Sequence, residues 1–326
     1  MRRDAGSPSA AGPARRWLRG GQWRRERVVI GLVAVVTLVS AGPGLVPNAG
    51  PRLGSLLETF QPWLPLAAVP LAAVAVWRRS ALALGLCAAP GMAWLVVHGG
   101  TLAADGGRHD LTALQHNVSD VNPDPAGTAR QLLAAKADVI ALEEVTPGAL
   151  PAYRKELDPA YPHFAADGTV ALFSRHRLTD VRPVDIRPED VPADWRRGLR
   201  ATAHTPWGEI AVYVAHLPSV RLSPLSGFGT TRRDESARYL GTAIEAEETE
   251  RVLLLGDLNS TVGDRGLTPL TSQLNAPDGA FAFSWPAARP LARIDQVLAR
   301  KARVTHIRAL GRTGSDHLPV LAGIRF

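Results

Sequence analysis

The sequence predicts an α/β protein in which two packed β-sheets are flanked by helices, preceded by an apolar helical anchor. Three observations carry this expectation. From Leu111 onward, short apolar strand-like runs alternate with polar stretches of helical spacing. Before Thr101 the chain holds three long apolar runs and a surplus of arginine. Polar residues suited to binding a metal and a phosphate stand at the ends of several of the strand-like runs.

Residues 1–27 are rich in Arg, Gly, Ala and Pro and read as a basic, disordered cytoplasmic tail. Val28–Val46 carries no charge and is long enough to span a bilayer core. Trp63–Trp77 is shorter and contains Pro65 and Pro70; it reaches membrane length only when extended back toward Leu53, which takes in Glu58. Ala81–Val97 is apolar throughout, and its Pro90 and Gly91 are tolerated in membrane helices. A cleaved signal peptide fits less well: Gly42-Pro43-Gly44 is not a small-x-small site, and two more apolar runs follow. The reading is a three-helix anchor over 28–98, a Gly-rich linker over 99–109 and a catalytic domain over 110–326.

Arginine placement sets the expected orientation in a multi-pass plasma-membrane protein. With the basic tail in the cytoplasm, three crossings return Arg78-Arg79 to the same side and deliver the catalytic domain outside. Two crossings, with the second run lying in the interface, strand Arg78-Arg79 on the wrong side. The net charge of +7 is uneven: before Thr101 there are 11 basic and 3 acidic side chains (+8), and 26 against 27 remain for the rest (−1). The catalytic part therefore lacks the net basic footprint of a binder of long polyanions, although a local patch around Arg232-Arg233 remains open. The one cysteine, Cys87, allows neither an intramolecular disulfide nor a Cys/His zinc site.

In the catalytic part, strands are expected at 111–118, 138–142, 169–174, 178–186, 199–204, 210–214, 251–255, 294–298, 304–307 and 320–324, with helices at 126–135 and 231–249. Six features follow in order. Asn117 ends the first strand; Glu144 closes Ala137-Asp138-Val139-Ile140-Ala141-Leu142-Glu143-Glu144. His216 sits in Tyr213-Val214-Ala215-His216-Leu217, and Asp257 and Asn259 sit in Leu254-Leu255-Gly256-Asp257-Leu258-Asn259. Asp295 sits in Arg293-Ile294-Asp295-Gln296, and Gly314-Ser315-Asp316-His317-Leu318-Pro319-Val320 precedes the last strand.

This ordered set resembles the endonuclease/exonuclease/phosphatase superfamily from about Asp110 to Phe326, a length typical of a single domain. The resemblance implies a four-layer α/β sandwich, the deoxyribonuclease I-like fold, with the site at one end of the two sheets. It also implies a hard divalent cation, Mg²⁺ with Mn²⁺ as an alternative, which takes oxygen ligands and helps offset phosphate charge. The expected metal ligands are Glu144, Asp316 and Asn117. Glu143 stands where the family usually has Gln, so either acid of the pair can face the metal, with Glu144 the first choice. Asp257 is expected to hold the attacking water, and Asn259, Asn117 and His216 to contact phosphate. His317, partnered by Asp295, is expected to do acid/base or charge-stabilising work, with His216 as the second catalytic histidine.

Thr146 replaces an arginine found near this point in some nucleases. The Pro/Ser/Gly-rich stretch from Leu217 to Thr231 reads either as a lid with an apolar surface or as an ordinary surface loop. His98, His116, His163, His176, His204 and His306 are assigned structural roles. The three-helix anchor joined to this domain resembles the VanJ-type membrane proteins associated with glycopeptide (teicoplanin) resistance. The expected activity is a membrane-bound phosphoesterase acting on a lipid or isoprenoid (pyro)phosphate at the bilayer, rather than on nucleic acid. An extracytoplasmic nuclease and a non-catalytic binder of a phosphorylated ligand or antibiotic are the alternatives.

Overall fold

A computed structural model describes residues 23–102, 107–223, 227–277 and 280–326. Most of the expected basic tail lies outside these residues. The chain divides into two compact units. One takes in Gln61–Gly99 and the chain up to Leu45; the other joins Val46–Phe60 to Gly100–Phe326.

In the first unit, α1 (Trp23–Ala41) ends ahead of Gly42-Pro43, and a short 3-10 turn (Pro43–Leu45) follows. The uncharged run is therefore not helical to Val46, because proline cannot continue the backbone ladder. The second unit then contributes α2 (Leu53–Thr59). Back in the first unit, Gln61–Ala67 forms a 3-10 stretch, followed by α3 (Ala68–Trp77), α4 (Ala81–Leu86) and α5 (Ala89–Leu102). The last of these runs on through Gly99-Gly100, so the expected linker begins as helix. Val29, Val33, Ala75 and Ala83 form this unit's small apolar core. Among the described residues one helical stretch, Ala81–Thr101, is long and apolar enough to cross a membrane. Leu53–Thr59 and Gln61–Trp77 pass that test only if counted together.

Among its described residues the second unit has 13 strands. Strands β1 (Leu111–Asn117), β2 (Val139–Glu143), β3 (His163–Asp167) and β4 (Val170–Ser174) lie in one sheet. Strands β5 (Arg177–Pro183), β6 (Gly198–Thr205) and β7 (Gly208–Ala215) lie in the other. A separate ribbon pairs β8 (Arg221–Ser223) with β9 (Gly227–Gly229). Next come β10 (Val252–Asp257), β11 (Asp295–Arg300), β12 (Arg303–Ala309) and β13 (Val320–Arg325). The first sheet has the order β12-β13-β1-β2-β4-β3, and the second β11-β10-β7-β6-β5.

Period-2 patterning explains the layers. Leu111, Ala113, Val139 and Ala141 of the first sheet pack against Val212, Val214, Leu253 and Val297 of the second. Alternate residues face outward. Leu114, Ile140 and Phe173 pack against α6 (Pro125–Ala134) and α7 (Leu150–Leu157), through Leu132 and Tyr153. Tyr213 and Leu254 pack with Ala237, Leu240 and Ile244 of α8 (Thr231–Glu245). The order helix, sheet, sheet, helix is the four-layer sandwich that the resemblance implies. Each buried Val or Leu contributes roughly 1.5–3 kcal/mol, which makes the inner rows the main source of cohesion. The start of α6 is fixed locally: Asp124 accepts from the Gly127 N–H at 2.8 Å, and Pro125 occupies the first turn.

Candidate active site

The inner rows of both sheets turn polar at one edge, and the site lies there. Along β1 the row Leu111, Ala113 continues as Gln115, Asn117. Along β2, Val139 and Ala141 lead to Glu143; on β10, Leu253 and Leu255 lead to Asp257. Val212 and Val214 of β7 lead to His216, and Ala299 and Val297 of β11 lead back to Asp295. Pairing aligns these ends: Asn117 lies opposite Glu143, and Asp257 opposite Asp295. Gly256 permits the close approach of β10 to β7, since a Cβ there would collide with the Ala215 carbonyl.

Asp295 and His317 form the centre. His317 Nδ1 lies 2.9 Å from Asp295 Oδ2, and its Nε2 lies 3.8 Å from Asp257 Oδ2. Burial opposes the imidazolium, but the Asp295 and Asp257 carboxylates outweigh it and raise the His317 pKa to about 10. Burial likewise pushes Asp257 up to about 7, with Asp295 adding to the effect and His317 opposing it. Asp257 accepts from Asn117 Nδ2 at 3.0 Å and from the Asn259 N–H at 2.9 Å. Asn259, at φ 47°, donates its own amide to the Leu217 carbonyl at 2.9 Å.

The two adjacent acids separate cleanly. Glu143 continues the inner row and is fully buried; Gln115 donates from Nε2 to it at 2.7 Å and to Asp295 at 3.0 Å. Burial, then Asp295 and Asp257, hold Glu143 well above the usual carboxylate range. Glu144 has a left-handed backbone, φ 61°, which breaks the strand alternation and leaves it lining the cleft. Its Oε2 accepts from the Asp120 N–H at 3.1 Å, and its Oε1 lies 3.7 Å from His216 Nε2. Asp316 is exposed and also lines the cleft, as do Asn117 and Asn259.

His216 is fully buried, 3.6 Å from Asp257 Oδ2, and the Arg197 guanidinium lies 3.0 Å from its Nδ1. Burial and then Arg197 drive its pKa well down, so it is neutral and supports Asp257 and Glu144 from beneath the cleft. Sequence reasoning missed Gln115 and Arg197. Gln115 was within reach, because it stands two residues before Asn117 on the same strand face. Arg197 had no such signal, since its role depends on Trp195, whose ring lies 5.1 Å from it, and on strand pairing. His116 is fully buried and bonds Thr313, in keeping with the structural role assigned to it.

The donor set fits a hard cation. Glu144, Asp316 and Asn117 line the cleft and carry oxygen donors of the kind a hard divalent ion takes; the Asn117 Oδ1 also accepts from the Ser119 N–H at 3.0 Å. A tighter cluster, Asp257, Asp295 and His317, has its ligating atoms within 4.8 Å of one another and differs from the ligand set expected from sequence. In that cluster the Asp295–His317 hydrogen bond already occupies the His317 Nδ1.

The cleft measures about 910 Å³. The Leu217–Thr231 stretch contributes the β8–β9 ribbon to its wall, with Leu222 and Phe228 lining it. Residues 224–226 at the ribbon's turn lie outside the described set.

Comparison with solved structures agrees with this fold. A structure of humanized D. rerio TDP2 matches with a TM-score of 0.55 and 18% identity, covering 66% of this chain and 99% of that one. Sphingomyelinase C from Streptomyces griseocarneus matches at 0.53 and 19%, covering 65% and 98%. A Staphylococcus aureus beta toxin mutant with bound magnesium ions matches at 0.53 and 16%, covering 66% and 99%. A search of curated proteins finds no match. The sequence model of the Endonuclease/Exonuclease/phosphatase family matches residues 104–317, well over half of the chain, spanning every site residue named above, and the chain belongs to that family.

Proposed function

We propose that this protein is a membrane-anchored phosphoesterase that requires a divalent cation, Mg²⁺ or Mn²⁺, and hydrolyses a lipid-linked phosphate or pyrophosphate outside the cytoplasm. The observation that carries the reading is the buried Asp295–His317 pair facing Asp257 at the floor of a cleft with an apolar wall. Glu144, Asp316 and Asn117 would hold the cation, which when bound would supply Lewis-acid charge to a phosphoryl oxygen. His317, charged at neutral pH and fixed by Asp295, offsets charge on the phosphoryl group from the other side. Asp257, titrating near 7, orients water and takes its proton, and Asn259 steadies the phosphate.

The near-neutral charge of the catalytic part favours a small or lipid phosphate over a long polyanion. The arginine distribution supports the extracytoplasmic placement, and a cell-wall carrier lipid is the substrate that would link the protein to glycopeptide resistance. Hydrolysis by the full-length protein in detergent with Mg²⁺ tests the reading, followed as inorganic phosphate from a pyrophosphate and as the cleaved organic product from a phospholipid or DNA. A polyprenyl pyrophosphate should be hydrolysed faster than a phospholipid or DNA, and His317→Ala should lower its hydrolysis by about 10²–10⁴-fold. Preference for DNA would replace the lipid reading with a nuclease, and binding without release from any substrate would replace it with a receptor.

A further inference from the structure

The segment between α1 and the second apolar run belongs to the catalytic unit and is fastened there by specific bonds. Glu58, buried, takes the Arg265 guanidinium at 2.7 Å and the Arg265 backbone N–H at 3.1 Å. Arg52 reaches Asp234 at 2.7 Å and Thr230 at 2.9 Å, and Ser55 donates to the buried Asp264 at 3.1 Å. The Phe228 N–H of the ribbon donates to the Pro51 carbonyl at 2.9 Å. Two glycines make the fit close. A Cβ on Gly227, at φ 73°, would collide with Pro51, and one on Gly54 would meet Arg265 and the Val46 carbonyl at 2.8 Å. These bonds set Leu56, Thr59 and Phe60 into the same cleft as Glu144, Asp257 and His317, alongside Leu222 and Phe228.

We propose that residues 46–60 are the substrate-selecting wall of the active site, with Leu56 and Phe60 facing the hydrocarbon that adjoins the scissile phosphate. The inference rests on the phosphoesterase reading and adds to it the segment that recognises the hydrocarbon of a lipid-linked substrate. A phosphate-only ligand has no use for an apolar wall, whereas burying a hydrocarbon there gives selectivity that grows with contact area. Continuity of the cavity favours this occupant: one cleft is lined by the carboxylates and His317 and also by Leu56 and Phe60.

The test compares farnesyl with isopentenyl pyrophosphate, which share a headgroup and differ in chain length, using full-length protein in detergent with Mg²⁺. In Leu56→Ala/Phe60→Ala the ratio of kcat/KM for the longer to the shorter substrate should fall by about tenfold to a hundredfold, chiefly through KM. Glu58→Arg should lower the same ratio by loosening the wall, and adding Arg265→Glu should restore part of it. If the double alanine variant does not fold, Phe60→Leu should give a smaller drop of the same sign. Equal losses on both substrates, or an unchanged ratio, overturn the wall while leaving the phosphoesterase standing. A wild-type protein inactive on both overturns the phosphoesterase reading and this inference with it.

Discussion

Two buried charge networks lie on opposite faces of the second sheet, and they are finished differently. On the outer face, Arg200 donates through Nε and Nη2 to Glu247, each at 2.9 Å, while the Tyr213 hydroxyl and the Thr249 N–H also donate to Glu247 at 2.8 and 3.0 Å. Burial works against the Glu247 carboxylate, yet these partners bring its pKa down to about 2. On the inner face, Glu143 keeps Oε1 without a partner, and Asp257 is pushed up to about 7. The saturated network is framework. The unsaturated one is where, on the proposed reading, a cation and a phosphate would bind.

The sharpest way to break this contrast is to cut each network and read two quantities. His317→Ala should lower turnover by about 10²–10⁴-fold, measured as phosphate release. Arg200→Ala should instead destabilise the fold by about 3–5 kcal/mol in urea unfolding, without lowering turnover per folded molecule. A loss of turnover alone in Arg200→Ala would dissolve the distinction.

A smaller effect of opposite sign is expected at Asp257. Its folded pKa lies above the ordinary 3.8, so its charged form weakens the fold progressively as pH rises from 3.8 to about 7. With chelator present, Asp257→Asn should therefore gain on the order of 1–3 kcal/mol above pH 7 and nothing below pH 4, while losing activity. Wild-type activity should fall below about pH 7 as Asp257 takes a proton, and above about pH 10 as His317 loses one. A flat rate profile between pH 5 and 7 would remove Asp257 from the chemistry.

The smallest expected effect is thermal. Mg²⁺ should raise the unfolding midpoint by a few degrees beyond an ionic-strength control, and by less in Glu144→Gln, as seen by scanning calorimetry. An equal rise in both proteins would place the ion elsewhere.

Much of the catalytic half was legible because alternation is a strict rule. Asp257 and Asp295 extend the apolar core-facing rows by two residues and Asn117 by four, so pattern alone brings them to one edge. The same rule brings Glu143 inward, and sequence could not reveal that a left-handed backbone turns Glu144 into the cleft. The strand at His163–Asp167 and helix α7 escaped notice, their apolar residues being too few to mark a period. In the N-terminal part, Glu58 looked like a blemish in an apolar run. Its partner, Arg265, lies more than two hundred residues away, and only the fold reveals that the acid is a fastening.

That fastening has a topological consequence. Phe60 and Gly100 both belong to the body that carries the cleft, so the intervening chain leaves that body and comes back to it. A strand of string pinned at both ends to one side of a sheet of paper pierces the paper an even number of times. Were a bilayer threaded by residues 61–99, the same parity would hold for that stretch. A cysteine at Ala49 and one on the catalytic surface should then react with the same impermeant maleimide, in cells where Cys87 has been replaced by serine.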